Sequence, residues 1–508
     1  MKYRRLIQFP AILLIVASFI LAGCNNEGDD KDKLASDTSN AGYALPFKLE
    51  FVEKPFTNLP RLQSYSFAFT KTGDFIISGG RRQGLHTFQA APAKNFIPDS
   101  ANNFIYYINP TNGFVKSFDV NTLPANLSAP LQSTNQQFYY DGDTDQLYLI
   151  GGYGWNAQKT NMLTFPVIMR YNVTAMANAL MGTPTPQQIA SLIEFSQDDR
   201  FAVTGGQLFK MNAQFYLVFG QRFDGQYRAF GGTDFTQKYT EEIRVFTLKP
   251  NTLQILSYGP VTNNESDHPF HRRDGNIVND IDPVTGNPRI TAFGGVFLPG
   301  IIGAYTYPIY ITGPGTSVLD RAANQKFSQY ECPVISLYDS VRKTNYHTFF
   351  GGISHYYYSQ TDSQRRAYDT VTKEGRNDGF PFIADVSTFM QTADGKFNEF
   401  IQLNPTTATN RLIGASINFI INRVLINDGY AYNNGVIKLA RFSQGQRFLA
   451  GYIYGGIEAQ NPLPLAPNTG TFVSNSLFEV YLSPVTTQVL PASDAHKSTK
   501  ADANLKRE

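Results

Sequence analysis

Cysteine and tryptophan are the scarcest residues in this chain of 508 residues, with two and one copies. So few thiols exclude a disulfide framework as the source of stability. Basic and acidic residues almost balance, at 43 and 41, so no nucleic-acid partner is expected. A sustained 3.6-residue periodicity is almost absent, which argues against a mainly helical fold.

One long apolar run, AILLIVASFILAG, follows the basic start MKYRR. Its core of roughly a dozen residues is too short for a membrane span, which needs about 20. The run leads into Leu21-Ala22-Gly23-Cys24, which resembles the lipobox of bacterial lipoproteins. The resemblance implies a signal peptide at residues 1–23 and membrane anchoring through a lipidated Cys24. The alternative is an ordinary secretory signal or an uncleaved anchor.

The segment 24–43 is polar and lacks periodicity, so it is predicted to be a flexible tether. Its acidic cluster resembles the signal that sends some lipoproteins to the outer face of the outer membrane. The cluster consists of Glu27, Asp29, Asp30 and Asp32. We therefore expect a surface-exposed protein of the bacterial outer membrane, with the periplasmic face as the alternative. The tail 492–508 is predicted to be disordered.

Residues 44–491 have an all-β composition; the whole chain contains 40 Phe and 29 Tyr, with frequent Gly, Asn and Pro turns. Short apolar strands run straight into glycines, as in RITAFGGVF at 289–297. Glycine weakens a strand, so its repeated place at strand ends indicates a special backbone path. The first glycines of six such motifs are Gly79, Gly151, Gly220, Gly294, Gly351 and Gly455.

A turn and another strand precede each motif, and further strands follow, as at 104–120 and 243–257. The repeated unit is predicted to be a four-stranded antiparallel meander. The start Leu-Gln-Ser, shared by 62–64 and 131–133, is a second indication of repetition. Spacings of 57 to 104 residues between the glycines exceed the usual length of a propeller blade, about 40 to 50 residues. Long inserted loops are therefore expected.

Six such units resemble a kelch-repeat β-propeller, the fold of the central domain of galactose oxidase. The resemblance implies a six-bladed kelch-type propeller of four-stranded antiparallel blades. The chain departs from the family pattern in two ways. Kelch blades usually carry a Tyr and a Trp after the glycines, but Trp155 is the one tryptophan here, and Gly220 is followed by Gln221.

Blade count and ring closure stay open at this point. The gap between the last two glycine motifs leaves room for a seventh blade. We interpret it as insertions, one near 427–442, because 412–421 is the single inner-strand candidate before the last motif. For closure, 46–55 alternates apolar and polar residues and can supply the outer strand of the last blade. The rival for that position is 486–491, and we prefer the N-terminal segment.

Basic and aromatic residues cluster in loops that follow the glycine motifs or precede the next inner strand. If these loops open on one face, they form a mouth suited to carboxylates or sugar hydroxyls, because arginine forks match carboxylate geometry. Alternatively, the arginines cap loops and pair with acids such as Asp274 and Asp224, and the aromatic residues pack on blade edges. The predicted ligand-binding residues are Arg81, Arg82, His86, Trp155, Arg222, His271, Arg272 and Arg273.

No metal or cofactor is predicted. The six histidines show no metal-ligand spacing. Nothing in the sequence pairs Cys332 with the histidines that a copper-radical site like that of galactose oxidase needs, so we expect a buried structural thiol. Six-bladed kelch propellers also include cofactor-free sialate mutarotases, and that resemblance implies proton transfer at the tunnel mouth. Asp274 and Glu458 are the candidate proton-transfer groups.

These observations favour a binding module for a glycan or an envelope protein over an enzyme. One alternative is a cofactor-free sugar mutarotase or epimerase, and another is a structural subunit of an outer-membrane assembly. A deep polar mouth with opposed carboxylates would favour the enzyme. A broad exposed aromatic patch would favour binding, and a flat apolar side face would favour assembly.

Overall fold

The structure is a computed structural model. It describes residues 45–86, 95–227, 234–300, 303–358, 365–367, 380–401, 411–464 and 470–489. The predicted signal peptide at 1–23, the tether with Cys24, and the tail at 492–508 lie outside these ranges. Within the ranges, no helix combines the length and the apolar character needed to cross a membrane.

Six sheets, each built on four antiparallel strands, form the blades of a kelch-like β-propeller, as predicted, and the sheet of blade 5 has a fifth, parallel strand. The strands are given from the channel outwards. Blade 1 contains Ser66–Phe69, Phe75–Ser78, Phe104–Ile108 and Val115–Asp119. Blade 2 contains Gln137–Asp141, Gln146–Ile150, Val167–Asn172 and Glu194–Gln197. Blade 3 contains Gln207–Met211, Gln214–Val218, Glu242–Leu248 and Ile255–Thr262. Blade 4 contains Asn276–Ile281, Pro288–Phe293, Ile309–Gly313 and Thr316–Leu319. Blade 5 contains Val334–Asp339, Thr344–Phe350, Val386–Thr392 and Phe397–Ile401. Blade 6 contains Phe419–Ile421, Phe448–Tyr454, Leu477–Val489 and Leu45–Lys54.

The expected long loops carry short elements of their own. Their strand pairs are Tyr153–Trp155 with Met162–Thr164, Gln221–Gly225 with Phe235–Tyr239, Gln329–Tyr330 with Ile353–Ser354, and Tyr356–Tyr358 with Arg365–Ala367. A three-stranded sheet joins Leu412–Ala415, Ile457–Ala459 and Thr471–Val473. The α-helices are Ala125–Leu131, Val173–Met181, Pro186–Leu192 and Arg423–Asn427. Single 3-10 turns occupy Pro98–Ser100, Val120–Thr122, Asp199–Phe201 and Leu439–Arg441.

The N-terminal strand closes the propeller, which confirms the preferred closure. Leu45–Lys54 pairs antiparallel with Leu477–Val489 as the outer strand of blade 6. The rival segment at 486–491 instead continues that third strand as far as Val489, which lies opposite Leu45. Side chains of the closing strand are alternately buried and more exposed, as the sequence pattern predicts.

The glycine pairs turn the chain at the boundary with the next blade. Gly151 has a φ of 63°, and a Cβ on it would lie 2.1 Å from the carbonyl oxygen of Val203 in blade 3. The N–H of Gly152 donates to that same carbonyl at 2.9 Å. The pair is needed for close contact between blades, which confirms the physical reason inferred from the sequence. In blade 3 the register differs, because Phe219 takes the first position and Gly220 the second, at φ values of 56° and 89°.

The hydrophobic core lies in layers between neighbouring blades. Phe67 and Phe138, from the inner strands of blades 1 and 2, meet edge to face with ring centroids 5.0 Å apart. Phe47 on the closing strand packs against Tyr346 of blade 5 with ring centroids 5.4 Å apart. The N-terminal strand therefore also contributes to the layer between blades 5 and 6.

The insertion of blade 6 is present where the sequence predicts it, but its start needs correction. The segment 412–421 is not one inner strand. Its first part, Leu412–Ala415, pairs with Ile457–Ala459, and Phe419–Ile421 alone begins the blade. Ser416, at a φ of 59°, separates the two parts. The insertion that follows sends Ile437–Lys438 alongside the inner strand of blade 5 in parallel pairing, and no seventh blade occurs within the described ranges.

Candidate functional site

Each inner strand is preceded by one residue with a positive φ, and these six residues surround the channel axis. Their φ values range from 48° to 67°, although five of them are not glycine. Ser64 and Asn135 both lie two residues before their strand, so the Leu-Gln-Ser match at 131–133 is out of register by two residues. We refer to the set as the channel ring, and its members are Ser64, Asn135, Gly205, Asp274, Glu331 and Ser416.

Backbone hydrogen bonds connect neighbouring members of the channel ring. In five of the six links, the N–H of one member donates to the carbonyl of the member from the preceding blade. The N···O distances run from 2.6 Å, between Ser416 and Glu331, to 3.2 Å, between Asn135 and Ser64. At the sixth link the Thr204 hydroxyl donates to the Asn135 carbonyl at 3.2 Å. These bonds cross blade boundaries, so they hold the starts of the inner strands together around the axis.

Side chains of the channel ring close the channel at this level. Asn135 and Glu331 come from blades 2 and 5, which lie opposite each other in a six-bladed ring. Asn135 Nδ2 donates to Glu331 Oε1 at 3.2 Å, so this hydrogen bond crosses the axis. Ser416 Oγ donates to the other carboxyl oxygen at 2.7 Å. The ring therefore separates the space above it from the channel below it.

Asp274 and Glu331 are adjacent in the ring, and their carboxyl groups share a hydrogen bond. Burial raises the pKa of Glu331 well above its ordinary range, and the charge of Asp274 raises it further. Burial also raises the pKa of Asp274, but Arg273, whose Nε lies 3.3 Å from Oδ2, opposes that shift. Of the two carboxyl groups, Glu331 therefore has the stronger tendency to hold the shared proton, while Arg273 favours the ionised form of Asp274.

A pocket of about 130 Å³, the mouth pocket, lies above the channel ring. The residue after each glycine motif contributes to its wall and pairs with the residue just before the channel-ring member of the same blade. From blades 1 to 3 these wall residues are polar, namely Arg81, Tyr153 and Gln221. From blades 4 to 6 they are apolar, namely Val296, Ile353 and Ile457. The mouth pocket thus has a polar half and an apolar half.

Arg81 lies in the polar half and is only 4% exposed. Its Nη2 donates to Gln83 Oε1 at 2.5 Å and to Ser100 Oγ at 2.6 Å, and the guanidinium carbon lies 4.3 Å from the centroid of the Phe96 ring. Burial lowers the pKa of Arg81, while Tyr153 opposes the shift. Within the described part of the chain, no carboxylate pairs with this guanidinium group.

Arg273 lies between the mouth pocket and the acid pair. Its Nη1 donates to Gln221 Oε1 at 3.1 Å and to the Tyr239 hydroxyl at 2.8 Å, while its Nε faces Asp274. Burial acts to lower the pKa of Arg273, but the neighbouring tyrosines, Tyr239 first among them, and Asp274 raise it overall. Arg273 is therefore a permanent cation beside the channel ring.

His86 also lines the mouth pocket, among aromatic rings. Its ring centroid lies 4.5 Å from that of Tyr227 and 5.8 Å from that of Phe96. Tyr153 packs edge to face on Phe96 at 5.3 Å, and its hydroxyl donates to the Gly225 carbonyl at 2.5 Å. Of the eight predicted ligand-binding residues, Arg81, His86 and Arg273 are the three that the structure brings together in this pocket.

Three further predicted residues lie in the same loops but outside the mouth pocket. Arg82 is exposed and donates to the Asp99 carbonyl at 2.7 Å. Arg222 pairs with Asp224 at 2.7 Å, and its side chain is 46% exposed. Trp155 donates from Nε1 to the Phe96 carbonyl at 2.8 Å. The expectation that they line the mouth is corrected here, because Arg82 and Arg222 fasten loops and Trp155 supports the pocket from behind.

His271 and Arg272 are likewise outside the mouth pocket. The His271 ring stacks on Tyr239 with centroids 3.6 Å apart, and its Nδ1 bonds to Glu241. Arg272 is 1% exposed and donates to the carbonyls of Pro269 and Gly294, each at 2.9 Å. The His271 side chain contacts the inserted loop of blade 3, whereas Arg272 fastens blade 4 to the segment before it, and neither reaches the pocket wall.

Glu458 does not meet Asp274. Its carboxylate forms a bidentate pair with Arg411, at 2.8 Å and 2.6 Å, and points away from the pocket although its neighbour Ile457 lines the wall. The carboxyl partner that the structure provides for Asp274 is Glu331, which sequence reasoning missed.

Cys332 follows the channel ring and is 4% exposed, which confirms the expected buried thiol. Asn276 Nδ2 lies 3.3 Å from its Sγ, and burial raises the pKa of the thiol to about 12. Within the described ranges, no group of three or more His, Cys, Asp or Glu side chains is arranged to hold a metal ion.

Comparisons with known proteins give a likeness in fold. No family model and no curated protein matches the chain. YjhT is one of 161 matching chains of solved structures, at 12% sequence identity over 83% of this chain and 99% of that chain, with a TM-score of 0.42. The kelch-like fold is shown by the blades themselves.

Proposed function

We propose that the protein is a lipid-anchored surface protein whose mouth pocket binds an acidic monosaccharide. Arg81 carries this proposal, because it is a buried guanidinium group on the pocket wall without a carboxylate partner among the described residues. A buried cation is costly unless an anion compensates it. A carboxylate matches the planar fork of arginine through two parallel hydrogen bonds.

The apolar half of the mouth pocket supports a sugar acid over a small inorganic anion. Val296, Ile353 and Ile457 form that half together with Phe297. Such a surface suits the C–H face of a sugar ring or the methyl group of an N-acetyl substituent. Polar side chains on the opposite wall, such as Gln221, are placed for sugar hydroxyls.

Binding is tested by calorimetric titration of the purified protein with N-acetylneuraminate, glucuronate and galacturonate, beside glucose and N-acetylmannosamine. The acids should bind and the neutral sugars should not. Arg81→Gln should weaken acid binding by about tenfold or more, since a hydrogen bond to a charged group contributes about 1.5–3 kcal/mol. Arg82→Gln is the matched control, because that neighbouring arginine is exposed and lies outside the pocket. An Arg81→Gln variant that binds the acids as the wild type does would overturn the proposal.

The anchoring belongs to the same proposal and is supported by Leu21-Ala22-Gly23-Cys24. Cells that express the protein should incorporate labelled palmitate into it, and Cys24→Ser should abolish the label. Protease added to intact cells should cleave the surface-exposed protein. A wild-type protein without label would refute lipidation, and protection from protease would favour the periplasmic face.

A second candidate function is cofactor-free sugar mutarotation, and the acid pair favours it. Asp274 is the ionised member and can take the proton of the anomeric hydroxyl, while Glu331 can give its proton to the ring oxygen. The C–O bond of the ring then breaks, the open-chain carbonyl forms, and reclosure on either face returns both protons. No redox partner is needed, and the total charge of the pair and sugar is unchanged.

Mutarotation is tested by NMR on a freshly dissolved single anomer of the acid that binds. The wild type should speed the approach to anomeric equilibrium, and Glu331→Gln should abolish the acceleration while leaving sugar binding in place. Glu458→Gln is the control, since that carboxylate is paired with Arg411 away from the pocket. If the anomers equilibrate at the same rate with and without the wild-type protein, mutarotation is refuted and sugar binding stands as the proposed function.

A further inference from the structure

The channel below the channel ring is a second cavity, of about 280 Å³. Inner strands from four blades line it with aromatic side chains. These are Phe67 and Phe69 from blade 1, Phe138 and Tyr140 from blade 2, Phe209 from blade 3 and Phe419 from blade 6. A concave aromatic surface of this kind binds apolar or aromatic molecules.

The insertion of blade 6 crosses the far end of this channel. Its Asn434 carbonyl accepts from Asn279 Nδ2 of blade 4 at 2.8 Å, and its Asn433 Nδ2 lies 3.3 Å from Asp143 Oδ1 of blade 2. Ile437–Lys438 pairs with the inner strand of blade 5. The insertion therefore reaches blades on several sides and gives the channel a floor that covers part of this end and leaves the rest open.

Arg423 stands on this floor, in the first turn of the insertion helix. Its guanidinium carbon lies 5.6 Å from the centroid of the Phe69 ring. Its Nε is buried and has no hydrogen-bond partner, and no carboxylate pairs with it within the described part of the chain. An unpaired cation at the end of an aromatic cavity is compensated best by an anionic group on a ligand.

We propose that this channel is a second binding site, separate from the mouth pocket, for a small aromatic anion. The aromatic body lies between the inner strands and the anionic group meets Arg423. The channel ring separates the two sites, because the hydrogen bond from Asn135 to Glu331 crosses the axis between them. The ligand therefore enters from the face that carries the insertion.

The test uses the purified full-length protein with 2-naphthoate and its neutral analogue 2-naphthamide, and binding is followed by calorimetry. The anion should bind more tightly than the amide. Arg423→Gln should weaken naphthoate by about tenfold or more and leave naphthamide nearly unchanged, because only the charged hydrogen bond is lost. Arg441→Gln, an exposed arginine of the same insertion, is the matched control and should change neither affinity.

Two further variants locate the probe. Asn418 lines the channel, so Asn418→Trp should block both probes by filling it, with thermal unfolding as the check that the variant folds. Arg81→Gln should leave naphthoate affinity unchanged, so that this result is independent of sugar binding at the mouth. Naphthoate affinity that falls with Arg81→Gln but not with Arg423→Gln would place the probe in the mouth pocket and overturn the proposal. A wild-type protein that binds neither probe would also overturn it.

Discussion

Glu331→Gln should make the stability of the propeller less dependent on pH. The carboxyl group of Glu331 has a pKa above its ordinary value of 4.5 in the folded protein, first because of burial and then because of Asp274. A group of this kind stabilises the fold fully below its ordinary pKa, because both folded and unfolded states then carry the proton. As the pH rises, the unfolded state releases the proton first, so that stability is lost until the folded pKa is reached.

The size of the effect follows from one proton. Between the ordinary and the raised pKa, the free energy of unfolding falls by about 1.4 kcal/mol per pH unit. Glutamine keeps the neutral form, accepts from Asn135 through Oε1, and can donate from Nε2 towards Ser416 or Asp274. The variant should therefore gain stability relative to the wild type as the pH rises above 4.5. Glu331→Ala should instead cost about 1–3 kcal/mol for each polar group left buried and unpaired.

The assay is urea unfolding at several pH values between about 4.5 and 8, followed by the fluorescence of the single tryptophan, Trp155. The difference between variant and wild type at each pH removes the contributions of titrating groups that do not interact with Glu331, so it reports the acid pair. Val341→Thr, at an exposed residue that does not titrate, should give a profile parallel to that of the wild type. Parallel profiles for Glu331→Gln as well would show that Glu331 is ionised in the folded protein, and the proton assignment of the acid pair would fail.

Four other substitutions test how the fold and the site are built. Gly151→Ala should destabilise the protein strongly in urea unfolding, because its Cβ would lie 2.1 Å from the Val203 carbonyl oxygen. Gly286→Ala is the control, since no atom lies near the added Cβ, and it should cost only about 1–2 kcal/mol of backbone strain. Phe47→Ala, on the closing strand, should lose about 3–5 kcal/mol by the same assay, and an unchanged midpoint would argue against N-terminal closure. Glu458→Gln should leave acidic-sugar binding unchanged in calorimetry, since its carboxylate is engaged away from the mouth pocket.

The repeated strand ends made the fold predictable. A glycine pair at a blade boundary is required by steric contact with the next blade, so it persists where other blade residues change. The same reasoning took Gly220 as the first glycine of the blade 3 motif. In the structure Gly220 holds the second position, and Phe219 adopts the left-handed conformation that a first glycine holds in the other blades. Chance similarity also misled it, because Leu-Gln-Ser at 131–133 ends two residues short of the position that matches Ser64.

The site was harder to predict, because its members share a conformation and not a residue type. Glu331 was missed because Ser, Asn, Gly, Asp and Glu all occupy the channel ring, and composition alone does not align them. A usable pattern was present, namely the residue two or three places before each inner strand. Arg81 and Arg273 were predicted because basic residues cluster in these loops, but the same clusters include Arg82 and Arg272, which lie outside the mouth pocket.

Gly205 explains how one ring position can create chemistry at another. A Cβ at this position would lie 2.5 Å from Asp274 Oδ1, so a side chain here would displace the carboxylate from the ring. Because Gly205 leaves that space, Asp274 can turn towards Arg273 and Glu331, while Asn135 on the far side reaches Glu331 across the axis. A six-fold backbone pattern thereby holds an asymmetric set of side chains. The acid pair stands where it does because a neighbouring blade supplies no side chain at all.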